Sequence, residues 1–271
     1  YNTFNMGVFM LKLVILIIYF AVLIGIGLYC RKHATDVNGF VLGGRSVGPW
    51  LTAFAYGTSY FSAVVFVGYA GQFGWKYGIA ATWAGIGNAI IGSLLAWVVL
   101  GRRTRIMSQH LDSATMPQYF GKRFGSNPLK IGASVIIFIF LIPYTASLYN
   151  GLSRLFGMAF NIDYSVCIII MATLTAIYVI AGGYMATAIN DFIQGIIMLF
   201  GIVAVIAAVI HSKGGFMSAL QGLANVSDPA VSDTPGIFAS FFGPDPFNLL
   251  CVVILTSLGT WGLPQMVQKF Y

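Results

Sequence analysis

Asp191 is the only acidic residue of this sequence that lies within an apolar stretch. The stretch spans residues 180–195, whereas the other six acidic residues fall in polar connections: Asp36, Asp112, Asp163, Asp228, Asp233 and Asp245. In a membrane, an ionised carboxylate at the bilayer centre costs roughly 2.5–3.5 kcal/mol, so it needs a cation, a proton or a helix terminus as a partner. Two interpretations stay open: Asp191 binds a cation, or Asn190 and Asp191 cap the free amides of a following helix.

Residues 56–63 place five hydroxyl groups and one glycine in the middle of another apolar stretch. Gly57 tolerates backbone conformations that other residues avoid. Hydroxyl side chains bond to the backbone groups that a broken helix leaves free, and the bare carbonyls of such a break can hold Na+. The alternative interpretation is a face of small residues that packs between helices.

A second polar interruption lies in residues 256–265. Gly259, Gly262 and Pro264 predict a break or kink in this apolar segment. Two interrupted helices in one membrane chain are typical of a binding site for a polar ligand. Tyr144, which follows Pro143, either faces such a ligand or anchors a kink at the proline.

The composition is that of an integral membrane protein, because 58% of the 271 residues are hydrophobic and only 8% are charged. Spanning the hydrocarbon takes about 20 apolar residues. Seven segments are predicted to do so: residues 8–30, 47–71, 78–101, 129–156, 165–180, 191–211 and 246–271. Their apolar residues do not alternate, so helices rather than barrel strands are predicted. The net charge of +7 is not interpreted as a nucleic-acid surface, and the sequence has no catalytic triad or metal-ligand spacing that would predict an enzyme.

The distribution of lysine and arginine predicts the orientation in the membrane. Nine of them follow segments one and three, against three near the opposite helix ends. The positive-inside rule then places the nine in the cytoplasm and the N-terminus outside the cell. Residues 212–245 become an extracellular loop, predicted to form a lid or a short helix plus loop. Because the chain starts with Tyr1 and ends within an apolar segment at Tyr271, both ends are expected to be truncated.

Three motifs resemble the sodium:solute symporter family. Residues 40–49, FVLGGRSVGP, resemble its first cytoplasmic loop, and residues 115–124, TMPQYFGKRF, resemble the next one. The residues GGYMA at 182–186 and NDFIQ at 190–194 resemble the family's Gly-Gly, Thr-Asp and Gln signature. The motifs occur in the family's order and cover nearly the whole chain, with the proline and pantothenate branches nearest.

The resemblance implies an all-α, LeuT-like inverted-repeat fold in one partial transmembrane domain, residues 1–271. An extra helix at about 8–30 precedes the first five-helix repeat at about 47–211, and residues 246–271 open the second repeat. Most of the second repeat would be absent, and with it the hydroxyl side chains that complete the family's main Na+ site.

The resemblance also implies roles for individual residues. Na+ would bind the backbone carbonyls of Thr58 and Phe61, and Asp191 would support a further Na+ site or the exit route. A small polar organic solute (an amino acid, vitamin, sugar or carboxylate) would contact residues that line the family's cavity, namely Tyr60, Ser62, Tyr144, Thr260 and Trp261.

Three positions depart from family patterns. Tyr60 stands where the proline branch has an aspartate, which weakens an assignment to proline. Leu141 replaces the arginine of sialic-acid members, and Asn190 replaces the usual threonine before Asp191.

The expected function is Na+-coupled symport into the cell, across the plasma membrane, by alternating access. Two other functions stay open, a solute-sensing membrane domain of a signalling protein and an H+-coupled symporter that uses Asp191.

Overall fold

The computed structural model describes all residues except 1, 34 and 62–67. Within the described residues, β pairing is limited to an isolated bridge between Asp228 and Ser232. The prediction of an all-α chain with several apolar helices is confirmed.

Twelve α-helices are seen in the described part of the chain. In order they are α1 (Asn2–Cys30), α2 (Val37–Leu42), α3 (Pro49–Tyr60), α4 (Ala70–Tyr77), α5 (Thr82–Gly87), α6 (Arg102–His110), α7 (Met116–Phe124), α8 (Asn127–Phe160), α9 (Tyr164–Ser212), α10 (Phe216–Ala224), α11 (Pro246–Gly259) and α12 (Pro264–Val267). Between α5 and α6 the backbone is mostly π-helical, at Asn88–Leu95 and Trp97–Gly101. Short 3-10 turns occupy Arg31–His33, Gly43–Arg45, Gly78–Ala81, Ile237–Ala239, Thr260–Gly262 and Gln268–Phe270.

Several helices begin at polar side chains that accept a hydrogen bond from a first-turn amide. Ser126 accepts from the N–H of Leu129 at the start of α8, at 3.3 Å, and Asp245 accepts from the N–H of Asn248 at the start of α11, at 3.0 Å. A proline follows within the first turn of both helices, where its missing N–H costs no helical bond. These caps fix where the long apolar helices start.

Four helical runs in the described part of the chain are long and apolar enough to cross a membrane: Phe9–Cys30, Ala70–His110, Asn127–Phe160 and Tyr164–Ser212. A fifth candidate is the pair Pro246–Gly262 and Pro264–Phe270, which bends by 60°. The predicted segment 47–71 includes residues outside the described ones, and α3, with 12 residues, does not span by itself. The predicted segment 78–101 lies within a longer run that starts at Ala70.

The predicted segments 165–180 and 191–211 form one helical run, α9, so the predicted connection at 181–190 is wrong. At about 1.5 Å per residue, its 49 residues measure about 74 Å, more than twice a hydrocarbon thickness of about 30 Å. The run kinks at Gly183, where φ is 57° and ψ is −150°. One glycine in this conformation interrupts the helical path without a loop, which is why helix resumes directly after it.

The described chain divides into two compact units. The first comprises residues 1–63, 111–194 and 271, and the second comprises residues 64–110 and 195–270.

In the first unit, α1 packs closely on α9 beside the kink. A Cβ on Gly27 would lie 2.9 Å from the carbonyl oxygen of Tyr178, and one on Gly182 would lie 2.8 Å from the carbonyl oxygen of Gly27. Small residues that let backbones approach are typical of helix interfaces in membranes. The first Gly of the GGYMA motif therefore serves this interface, and the second serves the kink.

In the second unit, α5 and the π-helical segment pack against α11. Buried side chains of Tyr77, Ala80, Ala84, Leu249 and Val253 form the core. The residues between α9 and α11 form a short helix, α10, and a loop with a 3-10 turn, as predicted for residues 212–245. Phe238 of that turn is 3% exposed. The loop is thus folded against its own unit.

Candidate functional site

The first predicted helix interruption is present at the end of α3. The helix stops at Tyr60, and Phe61 leaves the helical conformation with φ −89° and ψ 68°. The N–H of Phe61 donates to the carbonyl of Gly57 at 2.9 Å, which closes the last turn. Ser62, a predicted solute contact, lies outside the described residues. The interruption predicted for residues 56–63 is therefore confirmed at Phe61.

The hydroxyls before this break donate to carbonyls of their own helix. Thr58 Oγ1 donates to the carbonyl of Phe54 at 2.9 Å, and Ser59 Oγ donates to the carbonyl of Ala55 at 2.7 Å. Such back-bonding commits the single hydroxyl proton and leaves oxygen lone pairs. In this conformation Thr58 Oγ1 is available only as an acceptor, which is the chemistry that a cation requires.

Tyr60, a predicted solute contact, is 6% exposed. Its ring lies 6.0 Å from the ring of Tyr56 and 5.4 Å from that of Phe61, measured between centroids. In this conformation its side chain is therefore part of an aromatic group at the helix end.

Asp191 lies inside α9 rather than at a helix start, so the predicted N-cap is wrong. Only the first-turn amides of a helix lack partners, and Asp191 is the eighth residue after the kink at Gly183. Its side chain is half-buried and within electrostatic range of the phenols of Tyr19, Tyr178 and Tyr184. The predicted role of Asp191 toward a cation stays a prediction.

A ring contact places Asp191 and Thr58 on neighbouring helices of the first unit. Phe192, next to Asp191, packs edge-on against Phe54 of α3, with ring centroids 4.8 Å apart. Thr58 lies one turn beyond Phe54, about 6 Å farther along the helix. The predicted Na+ residues thus share one helix pair.

Asn190 is a buried polar residue that sequence reasoning did not place in the site. It is 1% exposed, and neither its Nδ2 nor its Oδ1 has a hydrogen-bond partner in the described part of the chain. An unpaired buried polar group costs about 1–3 kcal/mol. The signal available in the sequence is its departure from the family's threonine.

Tyr144 is half-buried within α8, and its carbonyl accepts from Ser147 Oγ at 2.7 Å. Pro143 is inside the same helix, which continues on both sides of it. Among the described residues, no hydrogen bond or ring contact joins Tyr144 to Thr58 or Asp191. Its predicted solute contact stays a prediction.

The second predicted interruption is present after α11. The helix ends at Gly259, a 3-10 turn covers Thr260–Gly262, and Leu263 is extended with φ −68° and ψ 125°. Pro264 then begins α12 after a bend of 60°. The break predicted from the glycines and the proline is confirmed.

The two predicted solute residues at this break make hydrogen bonds within their own unit. Thr260 Oγ1 donates to the carbonyl of Ser257 at 2.8 Å. Trp261 Nε1 donates to the carbonyl of Ile91 in the π-helical segment, at 3.0 Å. Because the indole N–H is committed, only the ring of Trp261 is left for the predicted solute contact, which stays a prediction.

Gln265, the second residue of α12, was not predicted as a site residue. Its Nε2 and Oε1 are both shielded, and no partner for either is found in the described part of the chain. The two unpaired groups together cost a few kcal/mol, at about 1–3 kcal/mol each. Shielding of a side chain is not visible in local sequence patterns, so the sequence did not single it out.

Comparisons with known proteins agree with this architecture. A family model for the sodium:solute symporter family matches residues 40–271. The osmoregulated proline transporter OpuE of Bacillus subtilis (strain 168) is 31% identical over 256 residues, which cover 93% of this chain and 50% of the relative. A sodium/proline symporter of Staphylococcus aureus (strain JH9) is 32% identical over 271 residues, covering 95% of this chain and 49% of the relative.

The chain spans about half the length of these curated relatives. The family description and the relatives' names denote transporters and symporters rather than enzymes. The match covers both helix breaks and the three motifs. The chain therefore belongs to the sodium:solute symporter family.

Proposed function

We propose that the protein containing this chain imports proline, or a closely similar small zwitterionic solute, together with Na+ by alternating access. The observation that carries this proposal is the pair of broken helices, at Phe61 after α3 and at Thr260–Leu263 after α11. In transporters, unwound helices line the substrate and ion sites near mid-membrane. Two relatives named for proline transport narrow the expected solute.

The proposed Na+ ligands in the first unit are the backbone carbonyls of Thr58 and Phe61. A hard cation such as Na+ is held by oxygen atoms, and the helix end at Phe61 supplies carbonyls outside a regular helical ladder. Asp191 contributes negative charge along the route by which Na+ leaves toward the cytoplasm. The remaining ligands would come from the part of the relatives' length that this chain does not cover.

Solute contacts are proposed separately for each unit. The first unit contributes Tyr60, Ser62 and Tyr144, and the second contributes Thr260 and Trp261. Aromatic faces and hydroxyls suit a small ring that carries polar groups, because the faces cover apolar surface while the hydroxyls meet the charges.

Coupling to Na+ supplies enough energy for accumulation. One elementary charge that moves inward through 100 mV yields about 2.3 kcal/mol. At about 1.4 kcal/mol per tenfold, this sustains a gradient of about fiftyfold.

The proposed location is the plasma membrane, with the N-terminus outside and the basic connections in the cytoplasm. Nine lysines and arginines on one side, against three on the other, support this orientation. The proposed architecture is a LeuT-like repeat fold, with α1 as the extra helix. The two broken helices would then be the first helices of the two repeats.

The test is uptake of labelled proline into proteoliposomes that contain the full-length protein. With inward Na+ and a negative interior potential, proline should accumulate above its external concentration. Replacing Na+ with K+ or choline should abolish accumulation, and undiminished uptake would show that coupling to Na+ is wrong. Competition by other amino acids, vitamins, sugars and carboxylates then defines the solute class.

A second candidate, coupling to H+, is favoured by one observation. Asp191 is a half-buried carboxylate in an apolar helix with three phenols nearby, a setting in which a proton is an alternative to a cation. Imposing an inward pH gradient without Na+ separates the two. Accumulation under that gradient alone would favour H+ coupling over Na+ coupling.

A further inference from the structure

The amide of Gln265 is shielded from solvent and has no partner in the described part of the chain, for its donor atom and its acceptor atom alike. The large majority of buried side-chain polar atoms in proteins have a hydrogen-bond partner. A side chain in which both ends lack one is therefore a candidate for contact with a ligand.

The amide of Gln265 lies directly after the second helix break. Gln265 follows Leu263 and Pro264, where the chain leaves the 3-10 turn and bends by 60°. Residues after such a break project side chains that a continuous helix would direct elsewhere. The amide therefore belongs to the part of the second unit where a solute site is proposed.

The hydrogen-bond donors of the two residues at this break that are predicted to contact the solute already have acceptors. The hydroxyl of Thr260 donates to the carbonyl of Ser257, and the indole of Trp261 donates to that of Ile91. The hydroxyl of Ser257 is itself buried without a partner, but it lies against Gly87 in the packed helix interface. Gln265 thus keeps N–H donors that are uncommitted in the described part of the chain.

We propose that Gln265 binds the charged headgroup of a zwitterionic amino or imino acid. A primary amide has two N–H donors and a carbonyl acceptor. Nε2 donates to the solute carboxylate, and Oε1 accepts from its ammonium group. Because the amide is neutral, it matches a solute that carries both charges without leaving an uncompensated charge when the site is empty. This inference rests on the proposed transport of such a solute.

The test compares Gln265→Met with Gln221→Met in the full-length transporter. Methionine keeps the side-chain length and removes the amide, and Gln221 is an exposed residue of α10 that serves as the control. Na+-dependent binding of labelled proline and the melting temperature without solute are both measured. Gln265→Met should weaken proline binding at least tenfold with a melting temperature that is unchanged or higher, whereas the control should change neither.

Solute analogues separate ligand binding from a structural role, because a purely structural amide would not change the relative affinities for proline and pyrrolidine. Wild type should bind proline more tightly than pyrrolidine, which lacks the carboxylate, and Gln265→Met should lose most of this preference. Gln265→Glu should also weaken proline binding, because its carboxylate repels that of the solute.

Two results would overturn the inference. One is proline binding by Gln265→Met within twofold of wild type. The other is a melting temperature of that variant well below wild type without solute, since this would reveal a structural partner for the amide. If wild type itself shows no Na+-dependent binding of any amino or imino acid, the proposed function fails, and the inference fails with it.

Discussion

Replacing Gly183 with alanine should destabilise the protein, because the kink of α9 depends on this glycine. Its φ of 57° and ψ of −150° lie near a backbone region that is essentially restricted to glycine, and other residues there cost about 1–3 kcal/mol. A Cβ would also lie 2.8 Å from the carbonyl oxygen of Phe40 and 3.1 Å from its Cα. The unfavourable backbone conformation and the steric contact both destabilise the variant.

The expected loss of stability is the sum of the cost of the backbone conformation and the cost of the steric contact. Forcing an extra carbon into packed backbone costs about 1–3 kcal/mol, so the total is about 2–6 kcal/mol. Gly201→Ala is the matched control, since it lies in the same helix and a Cβ there meets no atom within 4 Å. Alanine in a helix interior is favoured over glycine by about 0.5–1 kcal/mol. The two substitutions should therefore change stability in opposite directions.

The assay is thermal unfolding of the full-length protein in detergent, followed by tryptophan fluorescence. The curated relatives are about twice as long as this chain, and at about 2.1 cal/mol/K per residue a protein of that size shifts its Tm by about 1 °C per kcal/mol. The expected loss of about 2–6 kcal/mol then corresponds to a Tm about 2–6 °C below wild type. The control should melt about 0.5–1 °C above wild type.

A Gly183→Ala variant that melts within about 1 °C of wild type would refute this reasoning. Gly183→Asn supplies a second check on the conformation. Asparagine tolerates the left-handed helical region, where ψ is about +30° to +60°. Because ψ at this position is −150°, asparagine should be as destabilising as alanine. Recovery of stability by asparagine would contradict the kink geometry.

Three further substitutions test separate parts of the site. Asp191→Asn should raise the Na+ concentration for half-maximal uptake by about tenfold, a change of about 1.4 kcal/mol; an unchanged Na+ dependence would remove Asp191 from the ion route. Trp261→Phe loses the hydrogen bond to the carbonyl of Ile91 and should lower the unfolding free energy, measured by thermal melts, by about 1 kcal/mol. An unchanged unfolding free energy would show that this hydrogen bond does not contribute to stability. Asn190→Leu should be neutral or stabilising by about 1 kcal/mol, because it removes an unpaired amide; a clear loss of stability would show that the amide has a partner.

Both helix breaks could be predicted because local residues cause them. Pro264 has no N–H and cannot continue the ladder of α11, and its flanking glycines are visible in the sequence. Gly57 and the hydroxyls around it marked the end of α3 to within a few residues of Phe61. In each case the signal and the structural change lie within one or two turns of each other.

The course of α9 could not be predicted in the same way. Gly182 and Gly183 look alike in sequence, yet one makes the close contact with α1 and the other supplies the positive φ. The polar pair Asn190 and Asp191 resembled a helix start because capping residues are recognised by type and spacing alone. Only the backbone conformation of Gly183 shows that the helix resumes directly after this residue.

Local sequence patterns also failed to predict two other features. These are the π-helical stretch between α5 and α6 and the unpaired amides. Residues 88–101 are an apolar run with no proline, so nothing in it distinguishes a π from an α backbone. Whether Asn190 or Gln265 is paired depends on side chains that arrive from distant parts of the chain. The structure therefore adds to the candidate site the knowledge of which polar side chains are buried and which of them lack partners in the described part of the chain.

The hydroxyl protons at the two breaks decide which charges each region can meet. Thr58 and Thr260 each donate to a carbonyl of their own segment, so each meets a ligand only through oxygen atoms that accept. Accepting oxygens stabilise Na+ or an ammonium group but do not stabilise a carboxylate. A carboxylate needs N–H or O–H donors, and the indole N–H of Trp261 is committed to the carbonyl of Ile91. Gln265, whose amide has no partner in the described part of the chain, keeps N–H donors of this kind, which is the basis of its proposed contact with the negative end of a zwitterion.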